Sequence, residues 1–259
     1  MTNKVITRRR FGALSCGALA SLALGAACRR EGDTALAADG RLTARPIANV
    51  RTSVSGKTRL GLDPSRDASL QIPATASTAP LALLILLHGA GGSGEDILDW
   101  LGPVTEEAGL AVLAPDSRDS SWDAVRYNFG ADVGFLNRAL QRVFDTVSVD
   151  PERIAIGGFS DGATYAVSLG LINGDLFRRV LAFSPGFVID GPSNGKPQFF
   201  ISHGTADKIL PIDRCGRQVS AGLRKRGYNV TFREFEGGHS IPSDIALDGM
   251  RWVAGLPTA

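Results

Sequence analysis

The segment Leu81-Ala-Leu-Leu-Ile-Leu-Leu87 is apolar at every position, the pattern of a strand covered on both faces. It runs into a glycine-rich loop, His88-Gly-Ala-Gly-Gly-Ser-Gly94, and then into helical periodicity from about Glu95 to Ala108. The alternation repeats down the chain. Strands are predicted at Leu110–Ala114, Arg153–Phe159, Val180–Phe183, Gln198–Ser202 and Asn229–Phe235. Between and after them, helices are predicted at Asp132–Phe144, Gly162–Leu171, Asp213–Arg226 and Ser243–Val253. Ahead of the first buried run, a polar leader with Asp39, Arg41 and Arg45 precedes two short edge strands near Thr58–Leu62 and Ala68–Ile72. Strands alternating with helices predict an α/β fold with a mostly parallel central sheet and helices on both faces. No linker divides residues 40 to 259, so residues 38–259 are expected to form one domain. In such sheets, binding residues gather just beyond the carboxyl ends of the strands.

The beginning of the chain follows another pattern. Thr7-Arg8-Arg9-Arg10 leads into a small-residue apolar run from Phe11 to Ala27, shorter than the ~20 residues of a membrane span. Basic residues before such a run describe a secretory signal, and Arg8-Arg9 with Phe11 resembles a twin-arginine signal. Residues 1–37 are therefore expected to direct export through the twin-arginine machinery, to the periplasm or beyond. Two ends of that signal stay open: small-x-small cleavage after Ala35-Leu36-Ala37, or lipoprotein processing at Cys28 in Leu24-Gly-Ala-Ala-Cys28. The second would leave Cys28 lipidated and the protein anchored to a membrane.

Composition is that of a globular protein, 44% hydrophobic and 21% charged. The formal charge of +2 belongs to the leader, since removing Lys4, Arg8, Arg9 and Arg10 takes it to −2. A near-neutral mature domain has no electrostatic footprint for nucleic acid. Of the three cysteines only Cys215 lies beyond the leader, which excludes an intramolecular disulfide in the mature domain. Cysteines and histidines do not fall at zinc-like spacings, so no metal site is expected.

The chemistry converges on one serine. In Gly158-Phe-Ser160-Asp-Gly162 the serine sits between a predicted strand and a predicted helix. A sharp turn there exposes the hydroxyl but crowds its flanks, which glycine two places to either side relieves. A serine hydroxyl needs a base, and the chain has three histidines. His239, in Glu236-Gly-Gly-His-Ser240, follows the last strand, and Asp207, in Ser202-His-Gly-Thr-Ala-Asp207, follows the preceding one. Serine, acid and histidine in that order make Ser160, Asp207 and His239 the candidate triad, with Asp213 as reserve acid. His203 is not placed to serve as base, and its replacement is expected to leave turnover intact. The oxyanion donors expected are the backbone N–H groups of Asp161, directly after the serine, and of Ala90 in the glycine loop. The same loop lacks the Lys-Ser/Thr ending of a phosphate-binding P-loop.

The segments "LLHGAGGSG", "GFSDGATYAVSLGL", "SHGTADKILPI" and "GGHSIP", from about Leu86 to Pro242, resemble the α/β-hydrolase superfamily. The resemblance lies toward its small carboxylesterase/phospholipase and polyhydroxyalkanoate-depolymerase-like esterases. It implies an α/β-hydrolase fold without a large cap domain, hydrolysis of small-molecule or lipid esters through an acyl-enzyme, and no cofactor. Asp161 stands where glutamine is frequent in carboxylesterases. That leaves the mechanism intact, because the backbone N–H is the group used. Trp122, and Ile209 with Leu210, are candidate pocket residues. A peptidase with the same triad and a non-catalytic exported binding protein are the alternatives; oligomeric state is not legible.

Overall fold

The computed structural model describes residues 39–75 and 79–258. The expected export signal, with Cys28 and the Ala37 cleavage position, lies outside the described residues. Eight strands form one sheet: β1 Gly56–Arg59, β2 Ala68–Ile72, β3 Leu81–Leu87, β4 Ala111–Pro115, β5 Val149–Phe159, β6 Arg179–Phe183, β7 Gln198–Gly204 and β8 Val230–Phe235. Their spatial order is β1-β2-β4-β3-β5-β6-β7-β8. β1 and β2 pair antiparallel at one edge, and every pair from β4 to β8 is parallel.

The helices are α1 Gly94–Glu107, α2 Asp123–Arg126, α3 Ala131–Thr146, α4 Asp161–Ile172, α5 Gly216–Lys225 and α6 Ser243–Ala254. They explain the unbroken apolar run of β3. Leu83, Ile85 and Leu87 face a core shared with α3, α4 and α5, whereas Ala82, Leu84 and Leu86 face a second core shared with α1 and α6. Both faces of the strand are thus dry, and no position favours a polar residue. α1 begins where the sequence turns polar, because the Ser93 hydroxyl accepts the Asp96 N–H and caps the first turn.

The fold matches the expected class, with local differences. β5 starts earlier than its apolar run, at Val149, and passes through the exposed Pro151 near its beginning. The segment from Pro211 to Cys215 is a turn, so Asp213 precedes α5 rather than opening it. The expected polar leader is docked: Leu42 is fully buried, its N–H donates to Asn173 Oδ1, and Arg41 pairs with Asp175. Among the described residues the longest connection between elements is 184–197, and no cap domain is inserted over the strand ends. No helix among the described residues is long and apolar enough to cross a membrane.

Candidate active site

β5 ends at Phe159, α4 begins at Asp161, and Ser160 makes the whole turn between them. Its backbone sits at φ 57°, ψ −119°, outside the regions an L-residue prefers. Two contacts hold it there: its N–H donates to the Phe183 carbonyl of β6, and its carbonyl accepts the Thr164 N–H. The flanking glycines are required by close approach. A Cβ on Gly158 would stand 2.6 Å from the Leu87 carbonyl oxygen, and one on Gly162 would stand 2.3 Å from it. The elbow is therefore pressed against the end of β3, where only bare backbone fits.

The structure brings Ser160, His239 and Asp207 into one hydrogen-bonded line. His239 Nε2 lies 2.9 Å from Ser160 Oγ, and His239 Nδ1 lies 2.6 Å from Asp207 Oδ2. A carboxylate only accepts, so Nδ1 carries the hydrogen and Nε2 presents its lone pair to the serine hydroxyl. Asp207 is buried. Burial by itself would raise its pKa, but the hydrogen bonds from His239 and from the Leu210 and Ile209 N–H groups hold the carboxyl below its ordinary range. Asp207 Oδ1 takes both of those N–H groups at 2.9 Å, which turns the carboxylate to face His239. Phe159 lies against the other side of the imidazole, with ring centroids 4.7 Å apart, and Trp100 meets Phe159 edge-on.

These elements sit on a fold with wide structural kinship. A chain called esterase PE8 aligns with a TM-score of 0.60 at 21% identity, covering 73% of this chain and 97% of that one. The fold is that of the α/β-hydrolases. A profile of the phospholipase/carboxylesterase family matches residues 135–248. Feruloyl esterase C of Emericella nidulans is 28% identical over 157 residues, 57% of this chain and 57% of that protein. Acyl-protein thioesterase 1 of Debaryomyces hansenii is 27% identical over 225 residues, 71% of this chain and 95% of that protein. The chain spans 52 to 62% of the length of the curated relatives it matches first.

The glycine loop lies beside the elbow, since a Cβ on Gly89 would stand 3.5 Å from Ser160 Cβ. Within the loop, Gly91 N–H donates to Ser120 and Gly92 N–H to Gly89, whereas Ala90 N–H has no acceptor among the described residues. Asp161 N–H opens α4 and has no partner within its helix. Both candidate oxyanion donors are thus unspent. The Asp161 side chain is engaged separately, accepting the Ser121 hydroxyl at 2.5 Å.

Trp122 departs from expectation. It is fully buried, so it cannot form a pocket wall. Its indole Nε1–H donates to the His88 carbonyl at 2.9 Å, and its ring stacks on Tyr165. Trp122 holds the base of the glycine loop from below. His88, which sequence reasoning left without a role, does the same from within. Its Nδ1 donates to Gly89 O and its Nε2 accepts Ser117 N–H, while burial keeps its pKa below the ordinary value. Its position at a strand end, directly before the glycines, was the available signal.

Ile209 is 69% exposed beside the site, and Leu210 approaches Gly186. Phe187, also exposed, lines a groove with Arg214 and Gln218. Asp213 pairs with Arg217 rather than with a histidine. His203 is buried beside Asp207, a contact the sequence reading did not foresee. No cluster of His, Cys, Asp or Glu able to hold a metal occurs among the described residues.

Proposed function

We propose that this chain is a serine hydrolase that cleaves carboxylic esters through an acyl-enzyme on Ser160. The observation that carries the reading is the continuous line Ser160 Oγ, His239 Nε2, His239 Nδ1, Asp207 Oδ2, at 2.9 and 2.6 Å, on a strained turn beside two unspent N–H donors. His239 takes the Ser160 proton as Oγ attacks the ester carbonyl. The oxyanion forms between the Ala90 and Asp161 N–H groups, each able to lower the barrier by ~3–4 kcal/mol. His239 then passes the proton to the departing alcohol oxygen. Water enters, gives a proton to His239 as it attacks the acyl carbon, and the acid is freed as His239 returns that proton to Ser160 Oγ. Asp207 keeps Nδ1 protonated and stabilises the imidazolium.

The names of the relatives, feruloyl esterase and acyl-protein thioesterase, support oxygen or sulfur esters as substrates. Ile209 and Leu210 provide an apolar rim for the acyl or alcohol portion. Export by residues 1–37, with periplasmic, secreted or Cys28-anchored location, is proposed on the leader pattern alone, and the single domain 38–259 on the absence of a dividing linker. The test is hydrolysis of p-nitrophenyl esters of increasing acyl length, with the matched anilide beside each. Ester turnover that disappears in Ser160→Ala supports the reading. Equal rates in the two proteins contradict it, and preferential anilide turnover would make the chain a peptidase.

A further inference from the structure

The mechanism makes no use of His203, yet this residue is built into the acid's surroundings. It lies in β7, its side chain fully buried. Its Nε2 stands 2.7 Å from the Leu210 carbonyl oxygen, and a carbonyl only accepts, so Nε2 carries the hydrogen. Nδ1 is then bare. It has no partner among the described residues, and Gly216 packs so tightly against it that a Cβ there would stand 2.5 Å away. A second proton would be buried without an acceptor, and burial accordingly holds the ring neutral. One tautomer is thereby selected.

That tautomer closes a ring of contacts around the triad's acid. Leu210 donates its N–H to Asp207 Oδ1 and offers its carbonyl to His203, so both polar groups of one residue tie the Asp207 loop to the end of β7. The same Nε2 lies 3.3 Å from Asp207 Oδ2, the oxygen that accepts the His239 hydrogen. We propose that His203 is a positioning residue for the triad, fixing the Asp207 carboxylate toward His239 through the Leu210 peptide and by flanking Oδ2. The proposal rests on the serine-hydrolase reading above. The competing account is a core histidine that matters only for stability.

The test is a double-mutant cycle, read with the best p-nitrophenyl ester and with the rate of fluorophosphonate labelling of Ser160. His203→Leu keeps bulk and removes the donor; it should lower kcat about 10- to 100-fold, with KM within about twofold, at temperatures where the protein stays folded. His203→Gln carries an Nε2–H able to reach the same carbonyl and should recover kcat to within about threefold of wild type. In an Asp207→Asn background the Leu substitution should cost less than about threefold, because two changes on one pathway do not add. Should His203→Leu fail to fold, His203→Asn, polar but too short to reach Leu210, replaces it in the cycle. Wild-type kcat in the folded variant, an undiminished loss in the Asp207→Asn background, or equal losses in the Leu and Gln variants would overturn the proposal. Wild type that neither cleaves esters nor takes label at Ser160 would overturn the hydrolase reading instead, and this proposal with it.

Discussion

Replacing Ser160 by glycine and by alanine separates the chemistry of the elbow from its strain. Both substitutions delete the hydroxyl and its hydrogen bond to His239. They differ in what the backbone is asked to do. At φ 57°, ψ −119° a residue with a Cβ is held in a sparsely populated region, which costs roughly 1–3 kcal/mol. Glycine escapes that cost but gives the unfolded chain more freedom, returning about 0.4–1 kcal/mol. The balance makes Ser160→Gly more stable than Ser160→Ala by about 1–2 kcal/mol, or roughly 2–8 °C in Tm for a domain of this size. Thermal unfolding followed by circular dichroism, with urea titration at fixed temperature, reads the difference directly. Both variants should be inactive toward esters. A glycine variant no more stable than the alanine variant would refute the reasoning, because it would mean that the turn at Ser160 stores no strain.

Other expectations concern the surroundings. Alanine at Gly162 would press a methyl against the Leu87 and His88 carbonyl oxygens, which cannot rotate away, and should destabilise on the order of 4 kcal/mol or more; alanine at Gly222, in α5 with nothing within 4 Å, should stabilise by about 0.5–1 kcal/mol. Comparable urea midpoints for the two would contradict the packing described. Trp122→Phe strands the His88 carbonyl and should cost about 1–3 kcal/mol and lower kcat, with an unchanged kcat arguing against support of the glycine loop. Asp132 is buried, and burial, then the nearby Asp123, pushes its carboxyl from 3.8 up to about 6. The folded protein then holds that proton longer than the unfolded chain, so this group's contribution to stability falls as pH rises from about 4 to about 6, by up to roughly 3 kcal/mol. Urea unfolding across that window should show a decline in wild type that Asp132→Asn lacks; the same slope in both would show that another group titrates there.

Much of the architecture was legible because a doubly wound sheet writes itself in uninterrupted apolar runs. Leu81–Leu87 and Ala111–Pro115 need no polar positions when helices cover both faces. The elbow was legible for a related reason: close backbone approach leaves glycine as the only solution at Gly158 and Gly162, and that constraint appears as spacing. What depended on the third dimension was not. Trp122 follows a strand, as a pocket residue would, but its direction is decided by the His88 carbonyl and Tyr165, which lie far away in the chain. His203 was set aside as base because no strand-end acid lies between it and Ser160 in the chain, and the sequence does not show the return of the loop that lays Leu210 over it. The docking of Leu42 on Asn173 was hidden by the polar residues on either side of it.

The central claim is that Ser160 is the nucleophile, raised to reactivity by His239 and Asp207. The most direct measurement is to treat the folded protein with a fluorophosphonate and map the adduct by tandem mass spectrometry. Single, stoichiometric modification of Ser160, slowed by orders of magnitude in His239→Ala and abolished by prior heat unfolding, is the predicted result. An adduct spread over several serines, or none on Ser160 while the protein remains folded, would contradict it.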